Sequence, residues 1–137
     1  MRILIDTDKL ISIEKGEEEL PEDECFVSII TVYEFIRGRK DFLKAKKLIE
    51  EIAVSLDVDN KVIAKATEIW RTLKKEGQLI DDRDLLIGAT AIVYDLHLYT
   101  GNKEHFERLQ PFGLKLYTPI ASQLKPEDEN KTSTSTL

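Results

Sequence analysis

The chain has 137 residues, a formal net charge of −6 and 42% hydrophobic residues, which is typical of one globular domain that buries its own core. Its single cysteine, Cys25, excludes an internal disulfide, and the absence of a run of about 18 apolar residues argues against a membrane span. With no signal-peptide pattern at the N-terminus, these features predict a cytoplasmic location.

The acidic balance is concentrated in one segment. Residues 17–24, EEELPEDE, carry six acids and no base, and this segment is predicted to be a solvated loop. Net charge is therefore a poor argument against an anionic partner such as RNA.

Short β-branched runs alternate with amphipathic segments along most of the chain. Strands are predicted at 2–6, 25–29, 53–58, 97–100 and 114–118, and helices at 7–16, 31–39, 41–52, 59–77, 85–96 and 102–109. This alternation predicts an α/β fold with a mainly parallel sheet of four to five short strands. One domain is expected over 1–120, and the polar tail 121–137 is predicted to be disordered.

Three acids stand in apolar surroundings: Asp6 after RILI, Glu34 within VYEFI, and Asp84 before LLIGATAIV. Parallel sheets place ligand sites at the carboxyl ends of their strands, so these acids and the Thr100-Gly101-Asn102 segment are expected to meet on one rim. No basic residue near Asp6 in sequence is placed to pair with it, so we expect a divalent metal to supply the missing charge. Oxygen ligands without clustered Cys or His favour Mg²⁺ or Mn²⁺.

Simpler interpretations stay open. Asp81 and Asp82 precede an apolar run, where acids often cap a helix. Asp6, Glu34 and Asp84 taken singly are compatible with turn, surface and capping roles. His97 and His105 are far apart in sequence with no third ligand evident, so both are predicted to be structural.

Gly88 interrupts the apolar helix one turn after Asp84. Glycine inside a helix costs about 1 kcal/mol relative to alanine. We expect its small size to let the helix pack closely against the sheet and so hold Asp84 near the strand ends.

Three stretches in order resemble the motifs of the PIN domain family, specifically the small ribonuclease toxins of the VapC type. They are ILIDTDKLI, SIITVYEFIRG and DRDLLIGATAIVYDLHLYTGNKEHF. The resemblance covers about residues 1–118 and implies a three-layer α/β/α fold around the parallel sheet. It also implies Mg²⁺- or Mn²⁺-dependent cleavage of RNA, a homodimer and a cognate antitoxin partner.

Carried over by position, the resemblance implies metal binding and catalysis by Asp6, Glu34 and Asp84, with Asn102 in a fourth position that many relatives fill with aspartate. Thr7 and Thr100 would orient these ligands or a bound water.

Two departures from the family pattern concern the rim. Gly101 stands where relatives often have arginine, and Asp8 replaces a common small polar residue, so that it supplies an extra acid.

Asp82 is a further candidate supporting residue. Basic side chains flanking the proposed rim are candidate phosphate contacts, with solvated surface charge as the alternative: Arg37, Arg39, Lys40 and Arg83.

The main hypothesis is a metal-dependent endoribonuclease, the toxin of a toxin–antitoxin pair. In this hypothesis, metal-activated water attacks the phosphodiester bond. The alternative is a catalytically weak PIN-like module that binds RNA or protein, because Asn102 carries no charge and Gly101 lacks the arginine of many relatives. A third possibility is an interaction protein of α/β class whose acids are caps.

Overall fold

A computed structural model of the chain describes residues 1–119, which form five strands, six α-helices and one 3₁₀ helix. The strands are β1 Arg2–Ile5, β2 Glu24–Ser28, β3 Val54–Leu56, β4 His97–Tyr99 and β5 Lys115–Leu116. The helices are α1 Thr7–Glu14, α2 Ile29–Ile36, α3 Phe42–Ile52, α4 Asn60–Lys75, α5 Asp82–Val93 and α6 Lys103–Phe106, followed by the 3₁₀ helix Glu107–Phe112. The predicted α/β class is confirmed, and the tail predicted at 121–137 lies outside the described residues.

The strands form one sheet in the order β3-β2-β1-β4-β5, with every neighbouring pair parallel. In the central strand β1, Ile3 pairs with Cys25 on one side and with His97 on the other. Ile3, Leu4 and Ile5 have no exposed surface. This explains why β1 reads as a continuous apolar run, as strands covered on both faces do.

Alternating side chains of β1 divide the core into two halves. Ile3 and Ile5 belong to the cluster formed with α1, α2 and α3, whereas Leu4 belongs to the cluster formed with α4, α5 and the 3₁₀ helix. Because successive strand residues point to opposite faces, one apolar strand joins both halves. The result is the three-layer α/β/α arrangement that the resemblance implied.

The helix predicted at 85–96 begins and ends three residues earlier than expected, at Asp82 and Val93. Asp95 adopts a left-handed backbone conformation, with φ of 54°, which a helix cannot continue through. Asp81 takes the N-cap position but its side chain makes no capping hydrogen bond. Asp84 therefore lies inside the first turn of α5.

Gly88 has a different role from the one expected. A Cβ built at this position would lie 2.3 Å from Leu109 Cδ1 and 3.6 Å from Phe106 Cδ1. The close approach that glycine permits is thus between α5 and the α6–3₁₀ segment, rather than between α5 and the sheet. That contact fixes the segment that follows β4.

The strand order places a topological switch between β1 and β4, because the chain first runs outward through β2 and β3 and then returns to β4 and β5. In open α/β sheets the crevice beyond the carboxyl ends of the strands at such a point receives ligands. Asp6 directly follows β1 and Thr100 directly follows β4. These two positions therefore border the crevice at the switch point.

No helix within residues 1–119 has the length and apolar character needed to cross a membrane.

We predict that Gly88→Ala destabilises the protein. Alanine gains about 1 kcal/mol in helix propensity, but overpacking a core typically costs about 1–3 kcal/mol, and Leu109 is fully buried. The free energy of unfolding, measured by urea denaturation, should fall by about 1 kcal/mol.

Gly38→Ala is the matched control, because a Cβ at Gly38 would meet nothing within 4 Å. In a Leu109→Ala background the Gly88→Ala penalty should shrink, since the clashing methyl is gone. A Gly88→Ala protein as stable as the wild type would contradict this packing role.

Candidate active site

Three acids from separate elements converge at the carboxyl end of β1. Asp6 follows the strand and is 3% exposed, and Asp84, in the first turn of α5, is 6% exposed. Glu34, in α2, is half-buried with a 20% exposed side chain. The structure thus brings together the three acids that the sequence singled out.

The guanidinium of Arg83 lies among these carboxylates. Its Nη2 donates to Asp6 Oδ1 at 2.7 Å, its Nη1 to Asp84 Oδ1 at 2.7 Å, and its Nε to Glu34 Oε2 at 2.8 Å. A side chain distant from Asp6 in sequence thus supplies, in the metal-free protein, positive charge that we expected a divalent metal to provide. Arg83 was predicted on the rim and lies inside the cluster instead.

These contacts shift the ionisation of the groups involved. Burial alone would lower the pKa of Arg83, but hydrogen bonds to Glu34, Asp6 and Asp84 outweigh it and raise the pKa. For Glu34, burial alone would raise the pKa, and the hydrogen bonds from Arg83 and Thr7 bring it below its ordinary value. Both groups are therefore held in their charged forms.

Buried threonines orient the acids. Thr100, 1% exposed, donates from Oγ1 to Asp6 Oδ2 at 2.9 Å and accepts from the Asn102 backbone N–H at 3.0 Å. Thr7 Oγ1 donates to Glu34 Oε1 at 2.7 Å and lies 3.1 Å from the hydroxyl of Thr31. Hydroxyl bonds of this kind fix carboxylate rotamers, as the supporting roles predicted for Thr7 and Thr100 require.

Asn102 and Asp8 lie on the exposed rim of the site. Asn102 Nδ2 is 3.0 Å from His105 Nδ1, and the same imidazole nitrogen is 3.5 Å from Asp84 Oδ2. Asp8 Oδ2 accepts from the Gly101 backbone N–H at 2.9 Å. Partial desolvation of the Asp8 carboxylate, followed by the charge of Asp6, raises the pKa of Asp8.

The other candidate residues have different environments. Arg37 is exposed and lines the cleft beside the acids. Arg39 makes a bidentate pair with Glu14, at 2.5 and 2.6 Å, and covers the ring of Phe35. Lys40 is exposed, and Asp82 lines a separate pocket with Trp70 and Leu86. Among these, Arg37 has the position best suited to contact a phosphate entering the cleft.

The cleft has a volume of about 380 Å³. Its lining residues are Asp6, Thr7, Asp8, Ile11, Glu34, Arg37, Arg83 and Asn102. Hard carboxylate oxygens that already surround a cation are a donor set suited to Mg²⁺ or Mn²⁺. With Arg83 among them, however, no group of three or more Asp, Glu, His or Cys side chains within residues 1–119 is arranged to hold a metal ion.

Sequence reasoning missed three contacts. His105 was predicted to be structural, yet its spacing of three residues from Asn102 is the signal that places both on one side of a helical turn. Thr31 precedes Glu34 by the same spacing in α2, and its hydroxyl lies 3.1 Å from the hydroxyl of Thr7. The position of Arg83 has no comparable local signal, since Asp6 and Glu34, two of its three acidic partners, come from other segments.

The PIN domain family model matches residues 3–110. Ribonuclease VapC1 from Methanocaldococcus jannaschii is 44% identical over 120 residues, which cover 85% of this chain and 87% of that protein. The chain therefore belongs to the PIN domain family.

Solved structures agree with this assignment. VapBC-1 from nontypeable Haemophilus influenzae superposes with a TM-score of 0.74 at 25% identity, covering 85% of this chain and 97% of that one. A chain of VapBC2 from Rickettsia felis, solved with a promoter DNA fragment, superposes with a TM-score of 0.72 at 20% identity, covering 85% and 98%. The second likeness is evidence for the fold alone.

Thr100→Val should lower the free energy of unfolding of the metal-free protein by about 1–3 kcal/mol, because it leaves the Asn102 N–H and one oxygen of Asp6 without their buried partner. Urea denaturation in the presence of a chelator measures the effect.

Thr90→Val is the matched control. Thr90 is also fully buried, but its hydroxyl donates to the Leu86 carbonyl, which α5 already bonds through its backbone. We expect the free energy of unfolding to change by about 1 kcal/mol or less, because burial of the added methyl group offsets the lost hydrogen bond. Equal losses in both variants would mean that Thr100 has no special role.

The stability of the metal-free protein should depend on pH through Glu34. In the folded protein the pKa of Glu34 lies below its ordinary value of 4.5. At a pH between the folded and the unfolded pKa of Glu34, the unfolded chain binds more protons than the folded protein, so the free energy of unfolding rises with pH. This contribution is fully present above the unfolded pKa and is lost as the pH falls through the folded pKa.

Free energies of unfolding measured by urea at pH 7, 5, 4 and 3 check this expectation. Glu34→Gln should reduce the fall in the free energy of unfolding between pH 5 and pH 3 (the acid limb). Glu17→Gln, in an exposed loop, should leave that fall as in the wild type. An unchanged acid limb in Glu34→Gln would exclude Glu34 as the linked group.

Proposed function

We propose that the protein is a metal-dependent endoribonuclease and the toxin of a toxin–antitoxin pair. The observation that carries this proposal is the convergence of Asp6, Glu34 and Asp84 beside an open cleft at the switch point of the sheet. The M. jannaschii relative is named as a ribonuclease, which supports the same chemistry here.

In this proposal Asp6, Glu34, Asp84 and Asn102 hold one or two Mg²⁺ or Mn²⁺ ions. A metal bound there would activate water and stabilise charge on the phosphate. Thr100 holds the carboxylate of Asp6 in a fixed orientation. Since these side chains lie on well-packed strand and helix ends, the ligands are positioned before substrate arrives.

The shape of the cleft bears on the substrate. It opens to solvent beside Arg37 and Asn102, while the carboxylates lie deeper. The backbone of a single-stranded or looped RNA can bend into such a cleft more readily than a continuous duplex. Arg37 would contact a phosphate next to the cleaved bond and fix the position of the RNA strand in the cleft.

Partners follow from the relatives. The H. influenzae structure is a VapBC complex, and we propose that this chain likewise binds a cognate antitoxin, forms a homodimer and acts in the cytoplasm. Exposed apolar side chains on α2 and on β3, including Ile29, Tyr33 and Val54, are compatible with such contacts.

A catalytically weak module that binds RNA or protein is the alternative, motivated by the uncharged Asn102. The three clustered acids and the ribonuclease name of the M. jannaschii relative favour the nuclease. RNA binding without cleavage at any Mg²⁺ or Mn²⁺ concentration would reverse that preference.

Asp6→Asn and Asp84→Asn should each reduce RNA cleavage by about 100-fold or more, since changing even the partners of metal ligands typically costs about 10–100-fold. The measurement is the initial cleavage rate of a stem–loop RNA with Mg²⁺ or Mn²⁺, resolved on a denaturing gel.

Asp41→Asn is the matched control, because Asp41 is exposed and its side chain makes no capping bond. It should cleave at the wild-type rate. Wild-type cleavage by Asp6→Asn and Asp84→Asn would refute the proposal.

A further inference from the structure

Every nitrogen of the Arg83 guanidinium donates to a carboxylate of the acid cluster. Nη2 bonds Asp6, Nη1 bonds Asp84, and Nε bonds both oxygens of Glu34, at 2.7 to 2.9 Å. Such a fork of charge-assisted hydrogen bonds is geometrically specific. Arg83 therefore takes the place of a bound ion in the cluster.

The bonds to Arg83 use the oxygens that a metal would need. Asp6 Oδ2 already accepts from Thr100, and Asp84 Oδ2 lies 3.5 Å from His105. Mg²⁺ requires oxygens at about 2.1 Å in a near-octahedral arrangement. A guanidinium between the same carboxylates excludes that arrangement, so Arg83 and a divalent ion cannot occupy the cluster together.

Exchange of one cation for another is feasible here. Ionised Asp6, Glu34 and Asp84 carry three negative charges and Arg83 one positive charge, so a doubly charged ion compensates the cluster better. The Arg83 side chain is 29% exposed and borders the open cleft. In such an exchange Arg83 would withdraw into this opening by rotation of its side-chain torsions.

We infer that Arg83 is an exchangeable internal counter-cation, which holds the acid cluster together without metal and must withdraw before a divalent ion can bind. This inference rests on the proposed metal-dependent function. It makes Arg83 a built-in competitor that weakens metal binding and links the three acids in the metal-free protein.

Other nearby cations have different partners. Lys9 forms an ion pair with Glu18, and Arg37 lies over the ring of Tyr33 at 5.2 Å. Arg37 lines the same cleft, and within residues 1–119 it makes no ion pair with the three acids. It therefore provides a control for the presence of a nearby positive charge.

The first test is isothermal titration of Mn²⁺ into metal-free wild type, Arg83→Gln and Arg37→Gln, without RNA. A competitor that leaves only a small fraction of molecules ready to bind weakens the apparent affinity by that fraction, so Arg83→Gln should bind Mn²⁺ about tenfold or more tighter than the wild type. Arg37→Gln should change the Mn²⁺ affinity by about twofold or less, because the charge of Arg37 interacts with the acid cluster across solvent, which weakens the interaction.

The outcomes separate this inference from the proposed function. Equal Mn²⁺ affinity in all three proteins, or weaker binding by Arg83→Gln, would overturn the counter-cation role while metal dependence stands. Absence of Mn²⁺ binding in all three would overturn both.

A second measurement uses the wild-type protein and does not depend on the folding of a variant. The Nε–H resonance of Arg83, assigned in the wild-type protein by through-bond correlation to the Arg83 backbone amide, should be protected from exchange with water in metal-free protein because it bonds Glu34. Saturation with Mg²⁺ should accelerate its exchange by about tenfold or more as the side chain enters solvent. Unchanged protection while backbone amides around Asp6 report saturation would overturn the inference.

Discussion

Charge compensation at the carboxyl end of β1 is the constraint on which the arrangement of the site depends. Asp6 and Asp84 are almost completely buried, and Glu34 is partly so. Carboxylates in that setting repel one another and lose hydration. Arg83 relieves both costs through bonds to all three. The packing of α2 and α5 beside β1 is compatible with ionised acids because this cation joins them.

The fold supplies the rigidity that the cluster needs. β1 is covered on both faces and contributes to both halves of the core. The backbone at Asp6, directly after β1, is therefore held in place. Gly88 allows the segment after β4 to approach α5 closely, which positions the rim residues Asn102 and His105. A functional arrangement on the ends of packed elements is more precise than one on free loops.

Much of this was accessible from the sequence. Alternation of short apolar runs with amphipathic segments predicted the parallel sheet, and acids in apolar surroundings near the predicted ends of strands and helices predicted the cluster of Asp6, Glu34 and Asp84. Helix ends and long-range partners were not accessible. The left-handed Asp95 that ends α5 early and the bonds of Arg83 to two other segments depend on tertiary structure, which local patterns do not encode.

Asp8 and Gly101 illustrate how one site residue limits another. The Asp8 carboxylate accepts the Gly101 N–H, and a Cβ at Gly101 would lie 2.5 Å from the same oxygen. A side chain at 101 and an acid at 8 therefore compete for one space. Replacement at either position changes which substitutions the other tolerates, so the two should be inherited as a pair when this rim diverges among homologous chains.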